Sequence, residues 1–279
     1  MLLFIALGFP NNVGWGLWKI PRSLYNLYTK MPLRFLNMAL MAGGNPFRLV
    51  TEGSPYLTIY GYPKELDYKS EWKSNFYRVD TFSPKIKLMK ESLKIPNGKI
   101  PKLNSSQKLI LVSMGNFHSA NIKFMSTLLG YLSKSSHNFI IEKQFSPKEY
   151  ELFHNMILLD NSLTKKQVIH ATDLVITDGS DETVLDAFAL GKPIIALPYW
   201  LAQLDNAQRL HELGYGVRLS PWTYSEGEIL SAIEKLLNDK ELNEKLSVIS
   251  KRILDEDRLD KAAELIENLG IDKNFYRDD

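Results

Sequence analysis

The sequence predicts an α/β fold whose parallel sheet is covered by helices on both faces, and three observations carry that prediction. From residue 107 onward, short apolar runs alternate with stretches whose apolar residues recur at helical spacing. The runs are almost unbroken in Val, Ile and Leu, the pattern of strands buried on both sides, rather than alternating apolar with polar. Residues 1–80 lack this rhythm, being aromatic and rich in turn formers. The 279 residues suit about two domains at roughly 150 residues each. Charge divides along the same line: residues 1–106 carry 15 Lys/Arg and 6 Asp/Glu (15 − 6 = +9), residues 107–279 carry 19 and 26 (19 − 26 = −7).

Taken in order, the chain opens on Met1–Phe9, which is apolar but has no basic residue before it and is short for a signal core. Leu24–Met41 fits helical spacing, and Tyr56–Tyr60, between Pro55 and Gly61, reads as a strand. No orderly series of strands is evident before residue 80. So many aromatics with so few elements to cover them predict a partner surface there, or self-association through residues 1–80. Pro84, Pro96, Gly98 and Pro101 then interrupt a run of lysines, so residues 84–106 read as a linker. Strands are expected at Lys108–Met114, His137–Glu142, Met156–Leu159, Leu174–Thr177, Pro193–Ala196 and Gly216–Leu219. Helices are expected at Ala120–Leu132, Gln167–Ala171, Thr183–Leu190, Asn206–Leu213, Glu226–Leu237, Glu241–Leu254 and Asp257–Leu269. Ala262, Ala263, Leu265, Ile266 and Leu269 form the apolar face of the last helix.

Several function classes are excluded early. Hydrophobic residues at 44% and charged residues at 24% are those of a globular protein, not of a disordered, collagenous or coiled-coil chain. A net charge of +2 predicts no nucleic-acid partner. The absence of cysteine removes disulfides, thiol nucleophiles and Cys-based zinc. No stretch approaches the ~18 apolar residues of a membrane span, so a soluble, cytoplasmic protein is expected, and no metal or cofactor is predicted.

In open parallel sheets, ligands bind beyond the carboxyl ends of the strands at a topological switch point, which directs attention to the loops after Met114, Thr177 and Leu197. Ser113 and Gly115 lie after the first of these strands; Gly179-Ser180 opens the helix after Thr177, and Thr183 falls in its first turn with Asp186 three residues on. Gln203 lies after Leu197. Backbone N–H groups and hydroxyls suit phosphate; a carboxylate and an amide suit ribose and sugar hydroxyls. The candidate ligand-binding residues on this edge are Ser113, Gly115, Asp178, Gly179, Ser180, Thr183, Asp186 and Gln203.

The stretch 174–219 resembles the donor-binding signature of the UDP-glycosyltransferases with the GT-B fold, which runs T-H-G-G-x-N-T-x-x-E, then G-x-P, P, D-Q-x-x-N-A-x-R and G-x-G. Thr177, Gly179, Thr183, Gly191, Pro193, Pro198, Gln203, Asn206, Ala207, Arg209, Gly214 and Gly216 match, without insertion. Ser113-Met114-Gly115 is similar to the family's S-x-G loop; Ser54-Pro55-Tyr56, Tyr62-Pro63 and Arg78-Val79-Asp80 are similar to the end of its acceptor domain. The resemblance implies a complete Rossmann-like donor domain over 107–255, the remnant of an acceptor domain over 1–83, and a C-terminal helix within 256–279 crossing back to it. It also implies an N-terminally truncated chain. The implied activity is transfer of a hexose from a UDP-sugar to a small lipophilic hydroxyl acceptor, with inversion and with the UDP-sugar as co-substrate. The family's general-base histidine would precede Met1, so no catalytic residue is assigned. All five histidines, at 118, 137, 154, 170 and 211, lie after residue 107, and His118 alone is near the expected cleft.

The departures support an alternative, a truncated non-catalytic relative with impaired donor binding. The family's diphosphate-binding histidine is Asp178, its second glycine Ser180, its asparagine Glu182, its ribose-binding glutamate Asp186 and its sugar-binding aspartate Ala202. The Pro-Gln that helps hold uracil is replaced by Leu163-Thr164, with Gln167 nearby. A helix N-terminus favours an anion by about 0.3–1 kcal/mol. A carboxylate about 4 Å from a phosphate opposes it by about 4 kcal/mol at an effective dielectric near 20. With Asp178, Asp181 and Glu182 at one corner, weak diphosphate binding is expected.

Overall fold

The computed structural model describes residues 56–67, 75–82, 106–115, 121–142, 151–159, 163–199, 202–255 and 258–271. The expected helix at Leu24–Met41 and His118 lie outside them. Two compact units are present, one drawing on residues up to Phe82 and from Glu256 on, the other spanning Ser83–Asp255.

In the first unit, β1 (Thr58–Gly61) and β2 (Phe76–Val79) pair in parallel, Thr58 opposite Phe76. Only β1 is evident in the sequence. β2 is four residues long, and its half-buried Arg78 lies opposite Tyr60 in the register. The Arg78 Nε donates to the Tyr60 hydroxyl at 2.8 Å, and its guanidinium pairs with Asp67 at 3.2 Å. Helix α7 (Arg258–Ile271) packs along β2 within this unit. Of its expected apolar face, Ala262 is buried and Leu265 and Leu269 half-buried, but Ala263 and Ile266 are exposed. The buried stripe is narrower than the five residues expected: Ala262, Leu265 and Leu269 lie three and four apart, along one line of the helix.

The second unit holds a six-stranded, wholly parallel sheet in the order β5-β4-β3-β6-β7-β8. Its strands are β3 (Leu109–Ser113), β4 (Asn138–Glu142), β5 (Met156–Leu159), β6 (Leu174–Thr177), β7 (Ile194–Ala196) and β8 (Gly216–Arg218). Every residue of β3, β6 and β7 is buried, whereas the edge strands β5 and β8 are half-covered. Central strands flanked by helices on both faces need apolar side chains in both directions, which is why these runs do not alternate.

The helices are α1 (Ile122–Leu132), α2 (Lys165–Ala171), α3 (Asp181–Ala189), α4 (Ala202–Glu212), α5 (Glu226–Asn238) and α6 (Lys240–Asp255). Helix α1 packs on α5, and α3 packs on α2, α4 and α6, as right-handed crossovers on opposite sides of a parallel sheet require. Local chemistry sets the starts. Asn121 accepts the Phe124 N–H at 3.1 Å, and Ser225 with Glu228 forms a capping box at α5. Thr164 with Gln167 does the same at α2, which explains why α2 begins three residues before its first apolar position, Val168. Strand order changes direction between β3 and β6, and there Ser113 lies level with Thr177. Among the described residues no helix is long and apolar enough to cross a membrane.

Candidate functional site

The switch point gathers most of the residues expected there. Ser113 ends β3, Gly115 follows it, Asp178-Gly179-Ser180 links β6 to α3, and Thr183 lies in the first turn of α3. The Thr183 hydroxyl is the meeting point: Ser180 Oγ donates to it at 3.3 Å, and Ser113 Oγ lies 3.5 Å away. Ser113 Oγ in turn donates to Glu142, which ends the neighbouring strand β4. Ser180 occupies the N-cap of α3 without using its side chain as a cap. Its hydroxyl points instead into this cluster.

Backbone geometry explains the glycines. Gly179 has φ of +86°, a left-handed conformation that side chains resist. The carbonyl oxygen of Gln203 lies 3.0 Å from where a Cβ would stand. At Gly115 the constraint is contact: a Cβ there would overlap Asp178 Oδ2.

Asp178 therefore packs against Gly115 and is held within its own loop. It is 2% exposed. Its carboxylate accepts the Ser180 N–H at 3.0 Å, the Thr177 hydroxyl at 3.3 Å and the Gln203 amide at 2.8 Å. Three donors satisfy a buried charge that would otherwise be costly. Asp181 is drawn aside as well, accepting the Asn206 amide at 2.6 Å, while the same amide donates to Gly179 O at 3.0 Å. The matched Asn206 thus pins the loop from α4. Only Glu182, at 77% side-chain exposure, remains an acid in solvent at this corner.

Gln203 is held at both ends, since its Oε1 accepts the Tyr199 N–H at 3.0 Å. Asp186, buried one turn along α3, faces Lys166, whose ammonium lies 3.8 Å from it. Burial holds the Lys166 pKa below the usual lysine range, with Asp186 acting against that shift. Gln167, near the lost Pro-Gln position, is committed to the α2 capping box.

Two residues of this corner escape the sequence reading, Glu142 and Lys165. The Lys165 ammonium lies 3.4 Å from Thr183 Oγ1, 3.3 Å from Glu142 and 3.9 Å from Glu182. One signal was available: Lys165 and Lys166 occupy the first turn of α2, where the helix dipole disfavours cations, and no acid accompanies them. The described histidines are elsewhere. His137 is buried between the Lys108 N–H and Glu234, and His154, His170 and His211 are surface residues. Among the described residues no group of three or more His, Cys, Asp or Glu could hold a metal ion.

Comparison with known proteins bears on this geometry. Residues 160–268 match the family described as UDP-glucoronosyl and UDP-glucosyl transferase. The NDP-glycosyltransferase YjiC of Bacillus subtilis is 26% identical over 161 residues, 57% of this chain and 41% of that protein. The zeaxanthin glucosyltransferase of Pseudescherichia vulneris is 36% identical over 95 residues, 34% of this chain and 23% of that protein. The chain thus spans less than half the length of the curated relatives it matches. Among solved structures, the glycosyltransferase of kitacinnamycin superposes with a TM-score of 0.65 at 18% identity, covering 88% of this chain and 65% of its own. The calicheamicin glycosyltransferase CalG4 does so with 0.63 at 22% identity, over 86% and 60%. These likenesses show the fold, the GT-B type with its Rossmann-like sheet.

Proposed function

We propose, on the match of residues 160–268 to the UDP-glucoronosyl and UDP-glucosyl transferase family, that residues 107–255 bind a nucleoside-diphosphate sugar for transfer of its hexose to a small lipophilic hydroxyl compound. The observation that carries the proposal is the cluster of Ser113, Ser180 and Thr183 hydroxyls with the Lys165 ammonium at the switch point. Donors of this kind at a helix N-terminus are the chemistry a leaving diphosphate needs. Displacement with inversion would build negative charge on the bridging oxygen, and pre-aimed N–H, O–H and ammonium groups would stabilise it. No histidine occurs in residues 1–106. This chain's proposed share of the reaction is donor binding, with residues 1–83 on the acceptor side, 84–106 as the connector and the helix in 256–279 returning to that side. A cytoplasmic setting goes with the same proposal.

A second reading, a non-catalytic relative with impaired donor binding, is favoured by one observation. Ala202 stands where the family has its sugar-binding aspartate, and both ends of the Gln203 amide are engaged by Asp178 and Tyr199. Titration calorimetry of the whole chain with UDP and with UDP-glucose separates these readings. Under the first, the sugar adds affinity over UDP alone; under the second, both ligands bind equally. Failure to bind UDP at millimolar concentration would overturn the first reading.

A further inference from the structure

We propose that Lys165 is the residue that engages the donor's diphosphate, taking over the task of the absent histidine from a different element of the fold. The inference rests on the nucleotide-sugar reading above and assigns one of its contacts. Position 178 cannot serve, because Asp178 is an acid, buried and saturated by three donors. The opposite wall of the corner supplies a cation instead. Lys165 projects from the start of α2 to within 3.4 Å of the Thr183 hydroxyl, in the first turn of α3.

Two independent features argue that this placement is not incidental. Lys165 stands in the first turn of a helix, where the dipole opposes a positive charge, and α2 already has its capping box from Thr164 and Gln167. Helix formation therefore gives no reason for a lysine there. Its acidic neighbours also differ in kind. Glu142, with a side chain only 14% exposed, lies 3.3 Å from the ammonium and is fixed by Ser113. Glu182 lies 3.9 Å away and is largely in solvent. Glu142 is thus a positioning residue that aims the ammonium at Thr183. Glu182 is a loosely held anion that a phosphate oxygen can displace. Exchange of an exposed carboxylate for a phosphate would leave Lys165 paired throughout, and would bring the phosphate against the hydroxyls of Ser180 and Thr183.

The test compares UDP with uridine on the full chain by titration calorimetry, since only the phosphate contribution should depend on Lys165. In the unaltered protein UDP should bind more tightly than uridine. Lys165→Met should cut that preference by about tenfold, the lower end for a hydrogen bond to a charged group, with the uridine affinity unchanged; Lys165→Arg should retain it. Glu182→Gln, on an exposed side chain that tolerates change, should tighten UDP binding a few-fold by removing the competing anion, again without effect on uridine. A Lys165→Met protein that keeps the full UDP-over-uridine preference overturns the proposal. If Lys165→Met does not fold, an unchanged preference in Glu182→Gln overturns it. Absence of both UDP and uridine binding in the unaltered protein would instead defeat the nucleotide-sugar reading, and this inference with it.

Discussion

The residue that changes meaning most between sequence and structure is Asp178. As a letter it puts an acid where the family has its histidine; in the fold it is a buried acceptor that ties Ser180, Thr177 and Gln203 together. Its partner in packing is Gly115, whose missing Cβ makes room for Oδ2. The two positions should therefore be energetically coupled. Asp178→Ala leaves an amide and a backbone N–H without their acceptor and should cost about 1–3 kcal/mol. Gly115→Ala should also destabilise, by forcing the carboxylate aside. In the double variant the second change should cost less than alone, with a coupling of about 0.5–3 kcal/mol. Urea denaturation of the four proteins measures this. Strict additivity would mean that the close approach of these residues plays no part in holding the loop.

At the scale of elements, α2 is the most dependent on its surroundings. A seven-residue helix is far below the length at which helices stand alone in water, roughly 12–15 residues, and it carries two lysines at its positive end. Its capping box supplies what its length does not. Thr164→Ala should cost about 1 kcal/mol and, by loosening the first turn, should weaken UDP binding through Lys165. Thr164→Ser should restore both. Thermal denaturation with and without UDP reports the two effects together, and a Thr164→Ala protein of unchanged stability would show that tertiary packing alone holds α2. The Thr-x-x-Gln signature was present in the sequence, but a helix assignment from apolar spacing starts at Gln167 and passes over it. Strand β2 was hidden for a related reason: its pairing with β1, and the Arg78–Tyr60 contact that seats it, are relations between segments.

For the whole molecule, the unit holding the parallel sheet has its own core. Leu242, Leu246, Ile249 and Ile253 bury the inner face of α6, and α6 itself packs on α3. A protein of residues 107–255 alone should accordingly unfold in one cooperative transition, as single domains of this size usually do, and should bind UDP as the full chain does. Coincident circular dichroism and fluorescence melts would establish this. A broad transition with dye-binding apolar surface would show instead that the sheet needs the rest of the chain.

The sequence alone determined what repeats along one dimension. Unbroken apolar runs such as Leu109–Ser113 and Leu174–Thr177 announced doubly covered strands, and the spacing from Thr177 to Gly216 carried the family signature and the loops where a ligand edge belongs. Both signals are local, because burial on two faces and tight strand-to-helix turns restrict residue types position by position. Only the tertiary structure decided how charges are spent. Glu142 and Lys165 are 23 residues apart in number and meet because β4 and α2 converge on the switch point. Asp178 is turned into its own loop because donors from that loop and from α4 surround it. Electrostatic energy depends on distance and on access to water, and neither can be read from the order of residues.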